Sequence, residues 1–342
     1  MDSSAFVAIM NRPESVGVAV FDTDMNSATT HLYCEWQLNE SPTEDVPYCT
    51  LDLAFRRRMP GSEHSTCQQW PKHSGEAGSA KAFRFVEDVV NQSVLRLDDA
   101  SERGDVAQIK LILPAVEGYI IRSDIIQRRF LTCHLAEKVV DFSTIGTKVK
   151  PFFWNGEDKN ALLWEAMHTA VGAIHVKAGD GQDTTDNLRL LDAEMQARLS
   201  FSWIIGKPLP KLRLALVDGK GYPHRSTGQL GVYKAAKALG IDLVVVDRDG
   251  HWAQDDALAS VWRDEFLVCD MTLDDGLPDR VVSALAMSRR PVDAITTYTD
   301  KLLPYVAKAA EKLGLHTNPP EAFDISSDKH RTRELATWEN NV

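Results

Sequence analysis

From Lys211 onward, short apolar runs alternate with helical ones, and no other feature limits the fold as strongly. KLRLALVDG (211–219) reads as a strand with a glycine at its end. STGQLGVYKAAKALG (226–240) reads as a helix closed by Gly240. IDLVVVDRDG (241–250) and EFLVCD (265–270) are strands, and LPDRVVSALAMSRR (277–290) is a helix. PVDAITTYTD (291–300) is a strand and KLLPYVAKAAEKLG (301–314) a helix. Strands that alternate with helices are joined by crossovers, so they lie parallel, and the helices cover both faces of their sheet. The expected fold class is α/β: an irregular mixed α/β N-terminal domain, then a doubly wound, Rossmann-like parallel sheet. GKPLP (206–210) marks the boundary, because two prolines and a glycine in five residues stop a helix.

Residues 1–205 are less regular. VGVAVFD (16–22) and HLYCEWQL (31–38) are rich in β-branched and aromatic residues and read as strands. Residues 39–80 carry Pro42, Pro47, Pro60, Gly61, Pro71, Gly75 and Gly78 and read as a long loop. Apolar positions 83, 86, 90, 94 and 97 give a helix from Lys81 to Leu97. VAQIKLILPA (106–115) is a buried strand, and TKVKPFFW (147–154) another strand. Ser123 caps a helix from Asp124 to Val139; Lys159–Val176 and Asp186–Ile205 are further helices. Nothing in residues 1–205 points to a chemistry of its own.

Bulk properties narrow the function. A net charge of −11 argues against a general grip on nucleic acid, which needs basic surface to neutralise phosphates. The N-terminus lacks a basic stretch followed by an apolar core, and no apolar run approaches the ~20 residues that span a bilayer. The five cysteines (34, 49, 67, 133, 269) are odd in number with no C-x-x-C pair, which fits free thiols in a reducing compartment. A soluble cytoplasmic protein is expected. His64, Cys67, Cys49 and His73 match no common zinc spacing.

Ligands of doubly wound sheets sit beyond the carboxyl ends of the strands. Three segments lie there: DGKGYPHRST, DRDGHW and TYTDK. The first supplies Gly219 and Gly221, but His224 stands where a dinucleotide fingerprint needs its third glycine, and Pro223 interrupts the loop. Asp247 sits where a ribose-binding acid would, although an aspartate at a strand end is common without a cofactor. No phosphate-binding G-x-x-x-x-G-K-[ST] loop is present. Lys220, His224 and Arg225 bring positive groups near a helix start at Ser226, which suits a carboxylate or phosphate, and equally suits a solvated basic loop. Gly219, Lys220, Gly221, His224, Arg225, Thr299 and Asp300 are therefore the candidate substrate-binding residues.

The stretch PVDAITTYTDKLLPYVAKAAEKLGLHTNPPEAFDISSDKHRTRELAT resembles the N-terminal, pre-ATP-grasp domain of ATP-grasp enzymes with the connection out of it. The corresponding pieces are the strand Asp293–Thr297, the loop Tyr298–Lys301, the helix end Ala310–Leu315, the turn Pro319–Ala322, and Asp328-Lys329 with Arg333 and Leu335. The likeness covers the second domain. LRLLDAEMQARLSFSWIIGKPLPKLRLALVDGKG is similar to the junction in carnosine-synthase-like amino-acid ligases.

That resemblance implies an ATP-dependent carboxylate–amine ligase working through an acyl phosphate, with ATP and Mg2+ as cofactors and a small amino acid as substrate. It places Lys329 on an ATP phosphate; a surface lysine in a helical charge pattern is the plain alternative. It implies domains of 1–205 (accessory, loop-rich at 39–80), 206–210 (linker), 211–320 (pre-ATP-grasp) and 321–342, a connecting helix. In the family the remaining nucleotide and magnesium ligands lie beyond such a helix, so the chain alone is expected to be inactive and to need an ATP-grasp domain or a homologue in trans. No catalytic residue or metal ligand is expected within it: Asp255-Asp256 and Asp274-Asp275 read as solvated loop pairs. Two other classes stay open, a non-catalytic binding or regulatory module and a nucleotide-cofactor oxidoreductase.

Overall fold

The computed structural model describes residues 16–25, 28–40, 46–57, 68–69, 79–93, 107–154, 159–177, 184–221 and 230–339. They fall into two compact units, Met1–Leu209 and Pro210–Val342.

In the first unit the strands are β1 (Val16–Met25), β2 (Ala28–Asn39), β3 (Tyr48–Arg57), β4 (Gln68–Gln69), β5 (Ala107–Pro114), β6 (Gly118–Ile120), β7 (Ala136–Asp141), β8 (Lys148–Val149), β9 (Gly172–Val176) and β10 (Ile204–Ile205). Seven of them form a sheet in the order β4-β1-β2-β3-β5-β9-β7, antiparallel except at β1–β4, and β10-β6-β8 form a small second sheet. Helices α1 (Ser79–Ser93) and α3 (Lys159–Thr169) pack on one face of the large sheet, burying Phe83, Val86, Leu163 and Met167 against Leu51, Leu53, Ile109 and Leu111. Helices α2 (Ile125–Phe130) and α4 (Thr184–Leu199) bury Ile126, Phe130, Leu191 and Met195 in a second core with Ile112 and Ile174.

Several expected elements differ, each for a physical reason. The proline-rich 39–80 segment contains β3, whose Leu51, Leu53 and Phe55 point into the core; the alternation of TLDLAF outweighs its proline-rich flanks. The expected helix 124–139 is α2 followed by β7, because Val139 and Val140 pair with β9 in the sheet. The expected helix 159–176 stops at Thr169, and β9 follows. A Cβ on Gly172 would lie 2.3 Å from Ile126 Cδ1 and 2.8 Å from the Val140 carbonyl, so only glycine admits this close approach. The strand expected over 147–154 is two residues long, and the helix expected to reach Ile205 ends at Leu199 before β10.

Four polar side chains lie buried on the sheet face that carries α4: Thr50, Asp52, Gln108 and Lys110. Lys110 is completely buried; its ammonium bonds Asp52 and lies 2.7 Å from Asp192 of α4. Asn39 donates to Asp52 at 2.8 Å. A buried charge persists only when paired.

The second unit is a four-stranded parallel sheet of β11 (Arg213–Val217), β12 (Asp242–Asp247), β13 (Glu265–Val268) and β14 (Ala294–Thr296), in the order β13-β12-β11-β14. Its helices are α5 (Gly231–Ala238), α6 (Asp256–Ala259), α7 (Leu277–Ala286), α8 (Leu303–Lys312), α9 (Pro320–Ser327) and α10 (Lys329–Glu339). Ala215, Val217, Val244 and Val246 face α7 and α8, while Leu216, Leu243 and Val245 face Tyr233 and Ala236 of α5. The continuous apolar runs thus reflect a sheet covered on both sides, as expected. The closing segment, expected as a single connecting helix over 321–342, is two helices separated at the extended Asp328. Among the described residues no helix is long and apolar enough to cross a membrane.

Lys110→Ala leaves Asp52 buried without its cation and should cost about 3–5 kcal/mol in urea unfolding. A loss below ~1 kcal/mol would show that the pair behaves like one at the surface.

Candidate functional site

In the second unit the chain steps outward from β11 to β12 and β13, then returns to place β14 on the other side of β11. The strand order reverses between β11 and β14, and the crevice beyond their carboxyl ends is where open α/β sheets bind ligands. Asp218, Gly219 and Lys220 follow β11 there, and Tyr298 and Thr299 follow β14.

The β11 loop is strained. Asp218 and Lys220 adopt left-handed backbone, with φ of 67° and 59°. Such residues cost roughly 1–3 kcal/mol each and persist only where their surroundings enforce them. Gly219 between them is needed for space. A Cβ there would lie 2.8 Å from His251 Cε1 and from Val245 Cγ1, and 2.9 Å from the Tyr233 hydroxyl.

Buried hydrogen bonds enforce the turn. The Asp247 carboxylate, 2 % exposed, accepts from Gly219 N–H at 2.8 Å and from Arg248 N–H at 2.7 Å. The Gly219 carbonyl accepts from the Tyr233 hydroxyl at 2.8 Å and the Tyr298 hydroxyl at 3.4 Å. The Lys220 carbonyl accepts from His251 Nε2 at 2.6 Å and Trp252 Nε1 at 2.7 Å. The amides of Asp218, Gly219 and Lys220 are all satisfied within the protein, by the Val246 carbonyl, Asp247 and the Asp218 side chain. These three amides therefore form no anion-binding nest; what the loop offers a ligand is its side chains.

Those side chains are charged and matched. Asp218 Oδ2 accepts from the Thr299 hydroxyl at 2.5 Å and lies 3.1 Å from Lys220 Nζ, which also sits 5.4 Å from the centre of the Tyr298 ring. Burial pushes the Asp218 carboxyl up, but hydrogen bonds from Thr299 and Lys220 outweigh it and hold the group below its ordinary value. Burial, with the charges of Asp218 and Asp247, pushes the Tyr298 hydroxyl up to about 12. The result is an ionised carboxylate locked beneath a partly exposed ammonium that has donors left for a ligand.

Of the candidate residues, the structure brings Gly219, Lys220 and Thr299 together around Asp218. Gly221 is exposed at the loop's next position, and Asp300 is exposed where a 3-10 turn opens. His224 and Arg225 lie outside the described residues. Lys329 opens α10 on an exposed surface. Asp247 supports the loop from beneath, buried out of reach of a ribose. Sequence reasoning missed Asp218, Tyr298 and His251. Their only signal was membership of the three strand-end segments, since no spacing rule links residues brought together by a parallel sheet.

Among the described residues no group of three His, Cys, Asp or Glu is placed to hold a metal ion. Asp255 caps α6 and Asp256 pairs with Arg263 at 2.6 Å. Asp274 pairs with Arg280 at 2.8 Å. Cys49 is half-buried in β3, and His64, Cys67 and His73 lie outside the described residues.

Gly219→Ala should cost about 1–3 kcal/mol in urea unfolding, because the new methyl meets three side chains below contact distance. Asp218→Asn removes the charge and one of two acceptor oxygens without a backbone penalty, since asparagine tolerates left-handed backbone. The folded carboxyl holds its proton less tightly than the unfolded one, whose pKa is ~3.9. Its stabilisation is thus complete above that value and lost as pH falls through the lower folded value. Asp218→Asn should lower stability at pH 7 and flatten this part of the acid-unfolding curve; an unchanged acid limb would show that the charge is not stabilised by folding.

Comparison with known proteins adds similarities. Residues 233–317 match the ATP-grasp N-terminal domain. The chain is 32 % identical over 243 residues to the ATP-grasp enzyme fsqD of Aspergillus fumigatus, a match covering 68 % of this chain and 41 % of that protein. The chain therefore spans less than half the length of this relative. An L-amino acid ligase from Bacillus licheniformis aligns at a TM-score of 0.31 and 18 % identity, over 39 % of this chain and 31 % of that one, too loosely to bear on function. The match at residues 233–317, which takes in β12, β13 and β14 of the doubly wound sheet, makes this part of the chain similar to the ATP-grasp N-terminal domain.

Proposed function

We propose that this chain is part of an ATP-dependent carboxylate–amine ligase that acts through an acyl phosphate, as the carnosine-synthase-like amino-acid ligases it resembles do. The observation that carries this reading is the ATP-grasp N-terminal domain match over residues 233–317, in a unit whose strand order reverses beside a strained, charged loop. On this reading the second unit receives the amino acid substrate, and an ATP-grasp domain or an intact homologue completes the nucleotide site. ATP supplies the phosphoryl group that turns the carboxylate into an acylating agent. Lys220 contributes its ammonium to the substrate's carboxylate, and Gly219, Gly221 and Thr299 shape the floor of that subsite. His224, Arg225 and Asp300 belong to the same proposed rim. Lys329, on the exposed start of α10, takes an ATP phosphate as a point charge. The free thiols Cys34, Cys49, Cys133 and Cys269 accord with a reducing cytoplasm.

A second reading is a non-catalytic module that pairs with a homologue; Leu335 on α10 is 53 % exposed, but a single exposed leucine is ordinary at a protein surface and does not favour it. The oxidoreductase alternative loses its one candidate ribose acid, because Asp247 is buried beneath the β11 loop.

Calorimetric titration with magnesium-ATP tests the division of labour. The 342-residue chain should bind weakly or not at all, and a micromolar dissociation constant would mean that it holds a nucleotide site of its own. With the rest of the ATP site supplied, Lys329→Ala should weaken nucleotide binding about tenfold, the ~1.4 kcal/mol within reach of a hydrogen bond to a charged group. It should leave stability unchanged within ~0.5 kcal/mol. Equal nucleotide affinity in mutant and parent would remove Lys329 from the site.

A further inference from the structure

We propose that the outer edge of β13 is a pairing surface, where two copies of this chain join antiparallel about a twofold axis into one continuous sheet. β13 ends the order β13-β12-β11-β14, and among the described residues no strand lies on its outer side. The hydrogen bonds define which groups it leaves open. Cys269 N–H bonds the Asp247 carbonyl, whereas the Val246 carbonyl accepts from Asp218 on the opposite side of β12. Asp247 pairs with Val268 and Val245 with Phe266 in the register, so β13 turns the amides and carbonyls of Glu265 and Leu267 towards β12. Those of Phe266 and Val268 alternate with them and point outward. Among the described residues no group bonds them. Phe266, Val268, Arg263, Asp264 and Arg289 line an open groove of about 440 Å3 at this edge.

The edge is complementary to itself when reversed. In an antiparallel pair, facing residues exchange both of their hydrogen bonds. Phe266 set against the partner's Val268 uses every open group, because the twofold axis repeats the exchange at Val268. The same register sets Asp264 against the partner's Asp270. There the Asp264 carbonyl is already capped by Arg289 Nη2 at 2.6 Å, so the ladder stops and Arg289 meets the partner's Asp270. Both side chains are 64 % exposed, and Asp270 Oδ2 lies 3.7 Å from its own Arg280, a loose pair. Opposite charges thus meet at each end of the seam, whereas parallel pairing in register would set arginine against arginine. Val268 is 52 % exposed, and further exposed apolar side chains border the strand: Leu258 and Val261 before it, Leu273 after it, and Met287 next to Ser288 and Arg289, which bond Glu265. They supply apolar surface that such a pair would cover.

The pairing stands apart from the ligase reading and is measured without ATP or substrate. Sedimentation equilibrium of the 342-residue chain should show monomer and dimer in exchange, with a dissociation constant on the order of 1–100 μM. Val268→Pro removes one outward amide from each copy, and proline is tolerated on an edge strand whose N–H faces away from the sheet. Val268→Lys places a charge on an already exposed side chain, a substitution that blunts edges without disturbing the fold beneath. Each should weaken the dimer about tenfold or more, with the circular dichroism spectrum unchanged. Arg289→Gln and Asp270→Asn should each weaken it about two- to fivefold, and together no more than either alone, because both remove the same contact. A chain that stays monomeric at ~100 μM overturns the proposal. So does a dimer indifferent to Val268→Lys, and additive losses at Arg289 and Asp270 overturn the antiparallel register.

Discussion

The Asp247 carboxylate, buried at the end of β12 and bonded to the Gly219 amide, is the contact on which the candidate site depends. It joins the carboxyl ends of two adjacent parallel strands and fixes the direction in which the chain leaves β11. Buried carboxylates are retained only when their oxygens are used. Asp247 uses one on Gly219 and the other on Arg248. The carbonyls of Gly219 and Lys220 are then held by four side chains from three other parts of the unit, and the two left-handed residues follow. The strain is local, and the restraints come from groups that are distant in sequence.

The two units solve the problem of buried polarity in different ways. In the first, Lys110 crosses from β5 to reach Asp52 on β3 and Asp192 on α4, so the ion pair clasps a helix to a sheet face that has turned polar. In the second, the sheet is apolar on both faces, and its polar groups gather at the strand ends. Arg213, buried at the amino end of β11, bonds Asp264 and Glu265. Asp218, Asp247 and His251 gather at the carboxyl end. The first arrangement serves cohesion. The second leaves part of Lys220 exposed at the carboxyl ends of the strands, the side on which doubly wound sheets bind ligands.

The similarity of residues 233–317 to the ATP-grasp N-terminal domain gives the loop a context without assigning its chemistry. The matched residues 233–317 begin after the β11 loop, so Asp218, Gly219 and Lys220 lie outside the matched span and their roles rest on geometry. His251, Tyr298 and Thr299 lie inside it. The site is thus assembled across the edge of the recognised domain.

The sequence by itself determined the parallel sheet from Lys211 onward, because continuous β-branched runs between amphipathic helices have no other well-buried arrangement. It also marked where those strands end. It did not determine the first unit. The proline-rich segment hides β3, and 159–176 reads as one helix although Gly172 admits a close approach that only a strand uses. An antiparallel strand is stabilised by its distant partners more than by local preference, so local reading missed it. The same reason governs the site. Gly219 stood out as a glycine suited to a turn, yet Asp218 and Lys220 carry the left-handed angles, and Gly219 is required only because His251, Val245 and Tyr233 pack against it. Which residues surround a strand end is decided by the order of strands in the sheet, and only the tertiary structure fixes that order.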